Sequence, residues 1–105
     1  MAVIHGTEEN FNDLIKGELV LVDFFATWCG PCGMQAKVLE KLQSSRSINC
    51  DIVKVNVDDA PQLAMEYGID SIPTLMIFKD NELVKRTIGY TEEKEILKMI
   101  EEFEE

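Results

Sequence analysis

Cys29-Gly30-Pro31-Cys32 is the segment of this chain whose residue types and spacing can carry a reaction. A cysteine thiolate attacks a disulfide sulfur to give a mixed disulfide, and a second thiol nearby can displace the product by closing an intramolecular disulfide. With two intervening residues, Cys32 lies one helical turn beyond Cys29 and can reach its sulfur. The tight Gly30-Pro31 link restricts the dithiol and so helps to set its redox poise. Two other readings use the same pair. Half of a tetrahedral zinc site would need two further ligands, and only Cys50, His5 and carboxylates remain to supply them. A purely structural disulfide would close so short a loop that it contributes little stability. Dithiol-disulfide exchange is the chemistry the spacing favours, with Cys29 attacking and Cys32 resolving.

The surrounding elements must hold Cys29 where negative charge is stable. Residues 19–25 form a continuous β-prone run, the pattern of a strand covered on both faces, with Asp23 as the charged anomaly inside it. From 31 to about 45, Met34, Val38, Leu39 and Leu42 recur at spacings of three and four. That predicts a helix with Pro31 at an early position, where no hydrogen bond is lost. Cys29 therefore falls just past a strand's carboxyl end and at a helix's amino end. Unpaired N–H groups and the helix dipole stabilise an anion there.

The rest of the chain supplies layers around that junction. Thr7 is expected to cap a helix over 8–15, stopped by Gly17. Residues 51–57 alternate as a second strand, and Pro61 opens a helix ending near Tyr67, with Gly68 as its cap. Strands over 74–78 and 83–88 join across Lys79-Asp80-Asn81-Glu82 as an antiparallel hairpin. Thr91 is expected to cap a last helix whose Ile96, Leu97, Ile100 and Phe103 face inward. The order helix, strand, helix, strand, helix, hairpin, helix predicts an α/β fold: one domain over 1–105, a central mixed β-sheet flanked by helices on both faces, with a right-handed first crossover.

Composition narrows the function. A formal charge of −10 repels phosphate backbones and leaves nucleic acid and anionic membrane surfaces as poor partners. Glu92, Glu93, Glu95, Glu101, Glu102, Glu104 and Glu105 carry much of it, and read as a solvated helix face. The longest nearly apolar stretch, 19–28, falls far short of the roughly 20 residues of a membrane helix. The first residues have neither a cationic start nor a long apolar run, so no secretory signal is expected, and export would require a leader already removed. Three cysteines suit a reducing compartment, which points to a cytoplasmic location.

Residues Val22-Asp23-Phe24-Phe25-Ala26-Thr27-Trp28-Cys29-Gly30-Pro31-Cys32 resemble the thioredoxin family. So do Lys54-Val55-Asn56-Val57-Asp58 and Gly68-Ile69-Asp70-Ser71-Ile72-Pro73-Thr74-Leu75, and the match covers essentially the whole chain. The resemblance implies the thioredoxin fold and a general protein-disulfide reductase. In it Cys29 is the nucleophile and Cys32 the buried resolving thiol. Asp23 is a buried acid that accepts the Cys32 proton through water, and Lys54 is its partner. It further implies a cis bond before Pro73, leaving the backbone at Ile72 free to pair with an extended client chain. Trp28, Gly30, Pro31, Val57, Ile72, Pro73 and Gly89 would border an apolar groove around Cys29. The implied partners are disulfide-containing client proteins and a flavin-containing thioredoxin reductase that supplies electrons. The domain would be a monomer with no bound cofactor or metal. Two alternatives stay open: a disulfide-forming oxidant or isomerase, whose potential would lie well above the roughly −270 mV of thioredoxin, and a redox-inactive module that binds partners through the groove. The Gly30-Pro31 pair, free of histidine, argues for the reductant.

Three positions depart from the family pattern, and a third cysteine lies outside its motif. Phe25 stands where a second tryptophan is usual, leaving Trp28 as the single indole. Gly33 replaces a lysine or arginine, which removes a nearby positive charge, makes Cys29 less acidic and costs the helix about 1 kcal/mol relative to alanine. Lys37 replaces a kinking proline, so a straighter helix is expected. Cys50 lies outside the motif and is expected to pack as a small apolar residue.

Overall fold

A computed structural model describes residues 3–45 and 48–104. Its elements are β1 (Val3–His5), α1 (Phe11–Leu14), β2 (Leu19–Phe25), α2 (Gly30–Ser45), β3 (Asp51–Asn56), α3 (Pro61–Glu66), β4 (Thr74–Lys79), β5 (Glu82–Ile88) and α4 (Glu93–Phe103). The sheet runs β1-β3-β2-β4-β5. β1, β3 and β2 are mutually parallel, while β4 runs antiparallel to both β2 and β5, which makes the predicted mixed sheet.

Strand parity sorts the core into two layers. On β2, Leu19 and Leu21 join Ile52 of β3 and Leu75 and Ile77 of β4 under Leu39 and Leu42 of α2 and Ile96, Met99 and Ile100 of α4. The alternate β2 residues Val20, Val22 and Phe24 face Phe11 of α1 and Leu63 of α3. Both faces are covered, which is why the β2 sequence shows no polar alternation. Asp23 has the parity of Leu19 and Leu21, so it lies under the α2 layer rather than at the α1 side.

Four details differ from the sequence expectations. A three-residue β1 adds a fifth strand, too short to show a period of two. It packs closely because Gly6 follows it: a Cβ there would meet Val53 Cγ1 at 2.9 Å, and the Gly6 N–H donates to the Lys54 carbonyl at 2.8 Å. The first helix is four residues rather than eight. Thr7 still makes a reciprocal cap ahead of it, with the Asn10 N–H donating to Thr7 Oγ1 at 3.2 Å and the Thr7 N–H donating to Asn10 Oδ1 at 2.6 Å. On α2 the inward row is Cys32, Gln35, Leu39 and Leu42, so Met34 is exposed and Gln35 is buried, the reverse of what hydrophobicity suggests. Finally, Thr91 does not cap α4, whose N-cap position is Glu92, because its hydroxyl and backbone are engaged elsewhere.

The hairpin turns through Asp80 and Asn81 alone, both at positive φ (50° and 71°), the geometry that matches the strands' twist. α2 runs unbroken through Lys37, as the missing proline implies.

Candidate active site

β2 ends at Phe25 and α2 opens at Gly30, so residues 26–29 make the turn that carries the first cysteine. The Cys29 N–H donates to the Ala26 carbonyl at 3.3 Å, and the Gly33 N–H donates to the Cys29 carbonyl at 3.4 Å, which seats Cys29 at the helix's amino end. Cys29 and Cys32 are joined as a disulfide, their Cα atoms 5.2 Å apart. The Cys32 N–H donates to Cys29 Sγ at 3.2 Å, so a backbone donor and the helix dipole both favour negative charge on that sulfur. Cys29 is half-buried and Cys32 is 3% exposed: one sulfur is open to a partner and the other stands behind it.

The Ile72–Pro73 peptide bond is cis, and the Ile72 carbonyl oxygen lies 3.7 Å from Cys29 Sγ. Gly89, at φ +87°, donates its N–H to the Pro73 carbonyl at 2.8 Å, a backbone conformation that favours glycine. Trp28 is 70% exposed, with its indole N–H donating to an Asp58 carboxylate oxygen at 2.8 Å. The neighbouring Val57 donates its N–H to the Phe25 carbonyl at 2.9 Å. Gly30 and Pro31 are exposed on the helix tip. Cys29, Ile72, Pro73 and Gly89 are thus linked contact by contact, and Trp28 and Val57 flank the same turn from the β3 side.

Behind the sulfurs lies a cavity of about 240 Å³ lined by Phe25, Ala26, Thr27, Cys29, Cys32, Gly33, Ala36 and Lys54. Lys54 sits beside Asp23 in the parallel β2–β3 register and shares its parity, which turns it towards α2 rather than outward. Its ammonium lies 4.4 Å from the centre of the Phe25 ring. Asp23 is fully buried, and neither carboxylate oxygen finds a protein hydrogen-bond partner among the described residues. Burial pushes its carboxyl up to about 7, against the opposing pull of Lys54, so it can gain or lose a proton near neutrality.

Three functional-site neighbours escaped the sequence reading. Asp58 fixes the Trp28 ring, and Gln35 and Thr91 bond to each other beside the cis-proline loop. Gln35 was detectable only as a polar residue at an apolar position of α2, three residues after Cys32. Cys50 is buried just before β3, at the sheet end opposite the dithiol. Its burial, with Asp51 and Glu104 adding to it, pushes the thiol up to about 12. Among the described residues no group of three His, Cys, Asp or Glu side chains could hold a metal ion.

Comparison with known proteins agrees with this geometry. The family model described as Thioredoxin matches residues 2–102. The chain is 43% identical over 101 residues to a thioredoxin of Staphylococcus saprophyticus, covering 96% of this chain and 97% of that one. It is 49% identical over 92 residues to a thioredoxin of Chlamydia caviae, covering 88% and 89%. Among solved structures, a mutant thioredoxin from Halobacterium salinarum NRC-1 superposes with a TM-score of 0.90 at 32% identity, covering 98% of this chain and 91% of that one.

Proposed function

This chain belongs to the thioredoxin family, and from that premise we propose how its own residues carry out the family's reaction. It is a protein-disulfide oxidoreductase that reduces disulfides in client proteins. In the reduced protein the Cys29 thiolate attacks one sulfur of a client disulfide. The Cys29–client bond forms, the client's sulfur–sulfur bond breaks, and the departing client thiolate takes up a proton. Cys32 then gives up its proton and attacks Cys29 Sγ. The Cys29–Cys32 disulfide forms, and the client's second sulfur leaves as a thiolate that is protonated in turn. Two electrons have passed from the dithiol to the client; of the two protons the client thiolates take up, one balances that released by Cys32 and the other that lost to solvent when Cys29 ionised.

Asp23, with its carboxyl near 7, is the acceptor for the Cys32 proton through an intervening water, and Lys54 moderates its basicity. The groove for the client is bordered by Trp28, Gly30, Pro31, Val57, Ile72, Pro73 and Gly89, with the Ile72 backbone pairing to an extended client segment. The dithiol itself carries the electrons, so the domain needs no bound cofactor, and in this reading it works as a monomer. A flavin-containing thioredoxin reductase returns the disulfide to the dithiol. No helix among the described residues is long and apolar enough to cross a membrane, and the acidic, three-cysteine chain supports a cytoplasmic setting.

The observation that carries this reading is the asymmetry of the pair: an accessible sulfur at the head of α2 with a buried one bonded behind it. The test is dithiothreitol-driven reduction of insulin. Cys29→Ser should abolish turnover, and Cys32→Ser should accumulate a mixed disulfide through Cys29, visible by mass spectrometry. Turnover retained in Cys29→Ser would refute the assigned nucleophile. Recycling by NADPH and a purified flavin-containing thioredoxin reductase tests the electron source.

A further inference from the structure

One fully buried polar side chain has no part in the exchange chemistry. Gln35 lies on α2 one turn past Cys32, 0% exposed, in the row that otherwise holds Cys32, Leu39 and Leu42. Its amide is paired on both sides with a single residue: the Thr91 N–H donates to Gln35 Oε1 at 2.8 Å, and Gln35 Nε2 donates to the Thr91 carbonyl at 3.1 Å. Thr91 lies between β5 and α4, where neither the sheet ladder nor the helix supplies partners, so Gln35 satisfies both of its backbone groups. The Thr91 hydroxyl is 3.0 Å from Thr87 Oγ1 and 3.4 Å from the Gly89 carbonyl, which ties the same segment back to β5.

The segment so anchored is the far wall of the groove. Two residues before Thr91, the Gly89 N–H donates to the Pro73 carbonyl, and Ile72, on the other side of the cis bond, brings its carbonyl to Cys29 Sγ. A chain of contacts therefore runs from Gln35 through Thr91, Gly89, Pro73 and Ile72 to Cys29. Just before Gly89, Ile88 is a large apolar side chain, 66% exposed and paired across the β4–β5 register with Thr74 beside the cis-proline, whereas Tyr90 lines the cavity between β5 and α4. Ile88 and the Gly89 backbone form a lip that nothing in the core requires.

We propose that Gln35 is a positioning residue for client binding: by holding Thr91 it fixes the Ile88-Gly89 lip over Pro73, the wall that reaches Cys29 through Ile72, so an apolar client segment meets a preformed surface. The inference rests on the groove described above and deepens it by naming what sets one wall. Both polar ends of the Gln35 side chain are spent on Thr91, so its effect falls on binding rather than on the sulfurs. A lip that had to be ordered at each encounter would bind more weakly, because ordering side chains and loops on association costs affinity.

The test is Gln35→Leu, of similar size but without either bond, in the dithiothreitol-driven insulin assay. The expected result is a KM for insulin raised about tenfold with kcat held within about twofold, and the same oxidation rate of the dithiol by glutathione disulfide as the wild type. Backbone amide exchange on Gln35→Met provides a second reading. The Thr91 and Gly89 amides should lose protection while those of β2 keep theirs, showing a released lip on an intact sheet. An unchanged KM overturns the proposal, as does unchanged protection at Gly89. A fall in kcat matched by slower reaction with glutathione disulfide overturns it too, since Gln35 would then act on the chemistry. A wild type that reduces glutathione disulfide but not insulin strikes at the groove reading itself.

Discussion

Replacing Asp23 by Asn should change how stability depends on pH, by an amount the burial of this carboxyl sets. In the unfolded chain the group titrates near its ordinary 3.8, and in the fold burial holds it at about 7. Between those values the unfolded state has lost its proton while the folded state keeps it. The folded state then binds more protons, and stability falls as pH rises. The favourable contribution is whole below 3.8 and is gone once pH has passed through 7. At about 1.4 kcal/mol per pH unit over an interval of about three, the loss is about 4 kcal/mol. Because Asp23 is fully buried with no protein partner for either oxygen, solvent screening does not reduce this figure. Urea unfolding of the oxidised wild type and of Asp23→Asn, followed by circular dichroism at pH 4.5, 6, 7 and 8, measures it. The amide's own burial cost is the same at every pH, so it cancels from the trend. Part of that loss lies below pH 4.5, so across the measured range the stability difference should tilt by about 3 kcal/mol in favour of the variant, most of it below pH 7. Parallel curves for the two proteins would refute the reasoning and place the Asp23 carboxyl in an environment no drier than water.

Gly33 is exposed inside α2, and a Cβ there meets nothing within 4 Å. Gly33→Ala should therefore stabilise the protein by about 1 kcal/mol and raise Tm by about 4–8 °C, and a lowered Tm by calorimetry would contradict this. Cys50, buried with its thiol pushed up to about 12, should resist iodoacetamide at pH 8 in the reduced native protein while Cys29 reacts. Peptide mass mapping before and after denaturation checks it, and native alkylation of Cys50 at a rate near that of Cys29 would show the thiol to be accessible.

Most of the elements could be read from local pattern. The run at 19–25, the proline at the head of α2, the alternation at 51–57, and Pro61 with Gly68 around α3 each state their conformation within a few residues, because φ limits, helix dipoles and side-chain period act over that distance. Likewise the dithiol spacing named the chemistry, and the residues around it named the family.

What local pattern could not show was which polar residues face inward. Asp23 and Lys54 are neighbours only because β2 and β3 pair in one register, and their common parity places them beneath α2. The same reason hid Gln35 and Thr91, 56 residues apart and joined by two hydrogen bonds. Met34 was expected inside and is exposed, since the rotation of α2 about its axis is settled by contact with the sheet and not by its own sequence. The chain alone thus determined the reactive pair and the elements that carry it. The assembled sheet decided the burial that lifts the Asp23 carboxyl and the contacts that join Cys29 to the cis-proline wall, because desolvation and cross-strand proximity exist only once distant segments have packed.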